Sequence, residues 1–202
     1  MNRSGWVLSV VAALAACGGR SANTPETEPA ARRFDVERYL PLVDGTVYTY
    51  ETSSEDTGEK GILMLEVVRK SELRAELVVA GRPQLLELGP DGARHVTGGY
   101  LLRQPLFAGS EFQGAFGTVR VNSTTERIQT PAGAFDNCVE TVEQNPSKRA
   151  RTVFCPEVGM VLLEVEGLTA ETAGLERAVL RTFGPRVDLS MGPPAPRKPQ
   201  SP

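Results

Sequence analysis

Histidine is almost missing from this chain: His95 is its single copy in 202 residues. A histidine cluster around a metal ion is therefore excluded, and any Ser-His-Asp arrangement must pass through that one residue. Asp91, Ser110 and Ser123 are available to it, but no Gly-x-Ser-x-Gly elbow exists, and His95 reads as an exposed strand or turn residue. No glycine-rich loop runs into Lys-Ser/Thr, so a phosphate cradle of that kind is absent. The acidic residues are scattered, and none stand out as a glycosidase pair. Surplus positive charge is also missing: the formal net charge is −3, which argues against a nucleic-acid-binding face. No internal repeat is visible. These absences leave no catalytic residue, metal site or cofactor to nominate, and the expectation is a protein that is not an enzyme.

What is present begins at the N-terminus. Arg3 precedes an apolar run of eleven residues, Trp6 to Ala16, too short for the ~20 residues that span a bilayer. It has the form of a signal peptide over residues 1–16. Leu14-Ala-Ala-Cys17 then resembles a bacterial lipobox. The resemblance implies cleavage before Cys17 and a lipidated cysteine, diacylglycerol-bearing and palmitate-like in its acyl chains, as the mature terminus. An ordinary secretory signal with an incidental Cys17 is the competing reading. Gly18 rather than aspartate follows, which in enteric bacteria implies sorting to the outer membrane. Residues 17–33 are poor in large apolar side chains and read as a flexible tether, with a reach on the order of 20–25 Å. The expected location is thus the outer membrane, lipid-anchored and facing the periplasm or the cell surface.

From residue 34 to 184 the pattern changes to strands. Thr46–Glu51, Leu73–Ala80 and Val119–Ile128 alternate apolar and polar side chains, the period of a strand with one buried face. Gly61–Val68 and Val158–Val165 are apolar on both faces and read as central strands, with a short buried helix as the alternative. Turn signals fall at Glu55–Gly58, Gly89–Gly92, Gly98-Gly99 and Asn145–Lys148. Residues 168–177 predict a loop or one poor turn, and Ala178–Phe183 a final strand. The fold class expected is mostly β: one domain of curved antiparallel sheet, half-barrel or sandwich-like. Residues 185–202 are proline-rich and read as a disordered tail, whose Arg197 and Lys198 suit a solvated stretch or a touch on anionic lipid or peptidoglycan.

Cys138 and Cys155 are equidistant from the Asn145–Lys148 turn, seven residues on either side. A two-residue hairpin loop at Pro146-Ser147 would set them opposite each other at a non-hydrogen-bonded position, where Cα atoms come to about 4.5 Å, within disulfide range. Export to an oxidising compartment favours that bond; two buried thiols or a metal site are the alternatives. The same register sets Arg151 opposite Val142 and diagonal to Glu140. Proline at the first loop position does not suit the favoured hairpin turns, so a longer, offset loop also stays open.

Three stretches, Tyr39–Tyr50, Thr130–Val139 and Cys155–Val161, resemble motifs of a family of uncharacterised Gram-negative β-rich lipoproteins, some akin to the half-barrels of periplasmic lipoprotein carriers. Tyr48 stands where that family often has tryptophan. The resemblance covers about Phe34 to Phe183, implies the fold and carries over no catalytic residue. Read physically, Tyr48, Tyr50 and Phe135 are core anchors, Gly45 and Gly133 suit turns, Pro156 ends a strand and Gly159 allows a bulge.

The function expected is a non-enzymatic binding or assembly module at the envelope, held to the membrane by its lipid. A concave apolar face would receive a lipid, an acyl chain or a hydrophobic segment of an envelope protein. Ile62, Met64, Val68 and Leu162 are the candidate lining residues, each also readable as plain core. A structural or accessory subunit docking by a sheet edge is the alternative, with a hydrolase third.

Overall fold

Hydrogen bonds join every strand among the described residues into one antiparallel sheet, wound in sequence order with a single exception. The computed structural model describes residues 35–170 and 172–187. The expected signal peptide, Cys17, the tether to residue 33 and the tail from residue 188, with Arg197 and Lys198, lie outside the described residues. One short helix, α1 (Asp35–Tyr39), leads into β1 (Thr46–Ser54), β2 (Lys60–Ser71), β3 (Arg74–Val79), β4 (Arg82–Gly89), β5 (Gly92–His95) and β6 (Tyr100–Arg103). The chain then crosses to β7 (Glu111–Gln113), β8 (Thr118–Thr130), β9 (Gly133–Gln144), β10 (Lys148–Cys155), β11 (Gly159–Gly167) and β12 (Gly174–Pro185). The last strand closes on the first, so the sheet runs β6-β5-β4-β3-β2-β1-β12-β11-β10-β9-β8-β7.

Its two edges, β6 and β7, are consecutive in sequence and meet. Tyr100 and Phe112 pack edge to face across the seam, ring centroids 6.3 Å apart. Gly99 beside them has φ +81° and lies where a Cβ would strike the Gly114 carbonyl, so only glycine permits the approach. The result is a nearly closed barrel.

The alternation of β1 fixes which face is inside. Tyr48 and Tyr50 are buried, and their cross-strand partners Leu65, Leu63 and Leu180 share their face. Phe154, Leu86, Leu102, Val67, Val121 and Val139 complete the filling, at ~1.5–3 kcal/mol for each large side chain removed from water. The α1 segment plugs one end. Val36, Leu40 and Leu42 are buried there, and Glu157 N donates to Arg38 O at 2.7 Å. Strand direction puts the turns at residues 43–45, 72–73, 90–91, 104–110 and 156–158 at this plugged end. Those at 55–59, 80–81, 96–99, 145–147 and 168–173 ring the other.

The curved antiparallel sheet expected from the alternation is observed, as a single nearly closed sheet. The strands expected around residues 46–51, 61–68, 73–80, 119–128, 158–165 and 178–183 are all present. The loop or turn expected at residues 168–177 is shorter than read, because β12 already begins at Gly174 rather than at Ala178. Two expectations need correction. Gly61–Val68 is central, as read, but only its inner face is covered: Ile62 and Met64 are 55% and 56% exposed, because a barrel wall has one core side. The β12 strand also reaches Pro185, and Arg186 pairs with Glu66 at 2.9 Å, so ordered structure passes the predicted boundary at 184.

The β9–β10 hairpin has the two-residue loop and the register that the cysteine spacing predicts. Gln144 faces Arg149, Val142 faces Arg151 and Val139 faces Phe154. The proline is accommodated because Asn145 replaces the usual turn bond with its side chain: Oδ1 accepts from Ser147 N and Lys148 N, both at 2.8 Å. Cys138 and Cys155 are disulfide-bonded, with Cα atoms 4.2 Å apart. Past Cys155 the strand stops at Pro156, and Gly159 (φ +103°) opens a bulge that leaves Val161 without a partner on β10.

The alternation of Val119–Ile128 does not show that the β8–β9 hairpin bends. Three breaks in its ladder, between Val121 and Ile128, bend it back over the outer face of β10, β11 and β12. Ala132 N at its tip donates to Leu180 O at 3.2 Å, and Ile128, Ala132 and Phe135 pack on the core. This flap buries Val153, Leu162 and the disulfide on what would otherwise be the outside.

Candidate functional site

The end of the barrel opposite α1 is open. Leu63 stands opposite Tyr50, Leu163 opposite Ala178, and Val165 opposite Ala150. Because those partners are buried, the three aliphatic side chains must point inward; yet each is only half-buried, since none of the described residues plugs this end. They wall a cavity of about 400 Å³, with Thr52 and Ser54 on the same inner face and Glu59, Lys60, Glu176 and Arg177 at its rim.

Around the rim the cavity meets a groove on the outer face, about 690 Å³, between the flap tip and β1, β2 and β12. Thr52, Ser53, Lys60, Gly61 and Arg177 border both. Ile62, Val179 and Pro131 form the apolar part of this groove, with Arg181 bridged to Glu51 at 3.3 Å.

Beneath the flap lies a charged cluster. Arg151 donates from Nε to Glu140 at 2.8 Å and from Nη1 to Glu164 at 3.0 Å, and Glu126 of the flap lies 3.6 Å from Nη2. Burial disfavours its charge, but the bonds to Glu140 and Glu164 outweigh that and raise its pKa. The group is fully matched and pins the flap base to β10 and β11. Among the described residues no set of three or more His, Cys, Asp or Glu side chains could hold a metal ion.

The residues weighed for chemistry are not brought together. His95 ends β5 at the open end, half-buried on the inner face, and desolvation lowers its pKa against a weaker pull from Glu143. Asp91 sits in the turn at the other end of the same strand. The Ser110 hydroxyl donates to Phe107 O at 2.9 Å near the plugged end, and that of Ser123 accepts from Thr125 N at 3.2 Å.

The expected lining set fails as a set. Ile62 and Met64 face outward, Val68 is half-buried on the same side, and Leu162 is sealed under the flap at 1% exposure. The inward residues are their neighbours Leu63 and Leu163. The usable signal was parity: whichever side chains of β2 share a face with Tyr48 and Tyr50 must point in.

Fold and cavity together define a single-sheet, nearly closed β-barrel, plugged at one end and open at the other. No family model matches the chain, and no curated protein matches it significantly. Among solved structures it is similar to a protein assigned to export, with a YmcC-like fold, from Bacteroides fragilis (TM-score 0.44, 16% identity, 70% of this chain and 96% of that one). It is also similar to a protein assigned as a lipoprotein from Parabacteroides distasonis (TM-score 0.42, 13% identity, 72% and 98%).

Proposed function

We propose that this chain is an exported, lipid-anchored, non-enzymatic binding module whose open barrel end receives an apolar ligand such as an acyl chain. The observation that carries the reading is the cavity walled by Leu63, Leu163 and Val165. Its volume lies in the range of small-ligand sites, and its charged groups stand at the rim, with only the Thr52 and Ser54 hydroxyls beside the aliphatic wall, the arrangement that suits a buried tail and a wet head. A disulfide in the body of the fold agrees with export, and the Leu14–Cys17 motif supports anchoring at the outer membrane. Docking by a sheet edge is less well served. The edge strands have four and three residues and face each other across the seam.

Native mass spectrometry of the full-length protein, purified from a bacterial envelope, tests the reading. The wild type should carry an adduct of acyl-lipid mass. Leu163→Trp, which fills the cavity, should lose the adduct without any fall in melting temperature. A wild type that is free of adduct and takes up no added fatty acid overturns the proposal.

A further inference from the structure

The plugged end carries apolar side chains that the fold holds outward. Val43 is 59% exposed, Leu73 64%, Phe107 56% and Val187 73%. Single exposed apolar residues are ordinary; these four sit on different connections of one rim. Three of the backbones bearing them are fastened. The Val43 turn is held by Asp44 Oδ1 accepting from Arg69 N at 2.7 Å, by Gly45 N donating to Val67 O at 2.9 Å and by Arg186 N donating to Gly45 O at 2.8 Å. That last bond sets Val187 beside the turn. The Leu73 turn is held by Arg69, whose Nε donates to Ser71 O at 2.8 Å and whose Nη2 donates to Glu72 O. In the loop between β6 and β7, Ser110 donates from both N and Oγ to Phe107 O. Side chains presented on braced turns and left uncovered among the described residues suit an apolar partner.

We infer that this rim is a membrane-docking surface, inserted shallowly into the bilayer in which the lipid of Cys17 is anchored. The inference rests on the lipid-anchor part of the proposed function. The chain enters the barrel at this same end, through α1. The tether read from the sequence at residues 17–33 has an expected reach of ~20–25 Å, whereas β1 and β2, of nine and twelve residues, are ~30–40 Å long. A tether of that typical reach, joined to the barrel at its plugged end, favours this rim over the open one for contact with the bilayer. The apolar tips then bury in the acyl boundary as a second attachment beside the lipid, which a single point of anchoring needs for a fixed orientation. The open cavity is left pointing away from the membrane.

A tryptophan reporter tests this. The chain's single tryptophan, Trp6, precedes Cys17, so the lipidated mature protein has none. Phe107→Trp and, as a second reporter in case that variant folds poorly, Leu73→Trp are reconstituted as full-length lipidated protein into phosphatidylglycerol–phosphatidylethanolamine vesicles. Val96→Trp at the open rim is the control. The expected result is blue-shifted emission, quenched by brominated acyl chains, at positions 107 and 73 but not at 96. Flotation with the vesicles and water-like emission at 107 and 73 overturns the docking surface while the anchor stands. Equal quenching at 96 overturns the orientation and the proposal with it. Failure to float overturns the anchor and the docking surface together.

Discussion

Breaking the Cys138–Cys155 bond should lower stability mainly through the unfolded chain. The bond closes a loop of 17 residues, and restricting a loop of that length in the unfolded ensemble is worth about 3 kcal/mol. For a domain of this size each kcal/mol corresponds to ~2–4 °C in Tm. Reduction of the wild type should therefore lower Tm by ~6–12 °C. Cys138→Ala/Cys155→Ala should fall as far or slightly further, because both sulfurs are fully buried and their removal leaves space under the flap, on the face of β10 that Val153 shares. Circular dichroism melts with and without dithiothreitol make the measurement, and the double-alanine variant should be indifferent to the reductant. Urea titration adds an independent check: an unfolded chain freed of its cross-link exposes more surface, so m should rise. Local effects should track the flap, since Cys138 faces Glu126 where the β8–β9 hairpin bends. The Ala132 amide, bonded across to Leu180, should exchange faster in the variant than amides of the β1–β2 pair. A Tm drop below about 2 °C on reduction, with m unchanged, would refute the loop-entropy reasoning.

Three further outcomes follow from Tyr48, Tyr50 and His95. Tyr50 is 1% exposed and donates to Met160 O at 3.0 Å; Tyr50→Phe should cost ~1–2 kcal/mol in urea titration, because it leaves that carbonyl unpaired. Burial raises the phenol of Tyr50 strongly and pushes that of Tyr48 up to about 12. Above pH ~10 the unfolded chain therefore loses these protons first, and stability should fall with rising pH; Tyr50→Phe should reduce that alkaline slope. Burial holds the His95 imidazole below its ordinary value, so the unfolded chain takes up this proton first as pH falls through ~6.5. Its contribution is present above that pH and is lost on acidification, and His95→Gln should flatten the stability profile between about pH 5 and 7.

What the sequence could reveal depended on whether a feature is periodic. Alternation from Thr46 to Glu51 exposes the face of Tyr48 and Tyr50, and two cysteines equidistant from Asn145–Lys148 carry a register that the structure repeats. The edge strands β6 and β7 are too short for any period to show, so the seam was invisible. Gly61–Val68 was read as buried on both sides because its residues are uniformly apolar, but hydrophobicity does not say whether a second layer exists. The converse happened at β10 and β11: Leu162 and Val153 are buried on the outer side because the flap arrives there. The flap depends on ladder breaks within Val121–Ile128, and bulges leave no composition mark. The site was missed by one residue for the same reason, since choosing between Ile62 and Leu63 requires the pairing with Tyr50.

One asymmetry ties these observations together. The barrel has a single helical segment to spend, and α1 is placed at one end, where Val36, Leu40 and Leu42 seal the core. At the other end only short turns connect the strands, and Leu63, Leu163 and Val165 stay half in water. Leaving them so forgoes part of the ~1.5–3 kcal/mol that each could contribute if fully buried. Closing that mouth would take only a larger side chain where Ala178 or Thr52 now stands. A small residue at the inner wall, beside aliphatic neighbours and below a charged rim, is what the proposed ligand site requires. Filling it with Leu163→Trp should therefore raise the stability of the empty barrel while it removes binding. A purely structural wall would gain the stability and lose nothing.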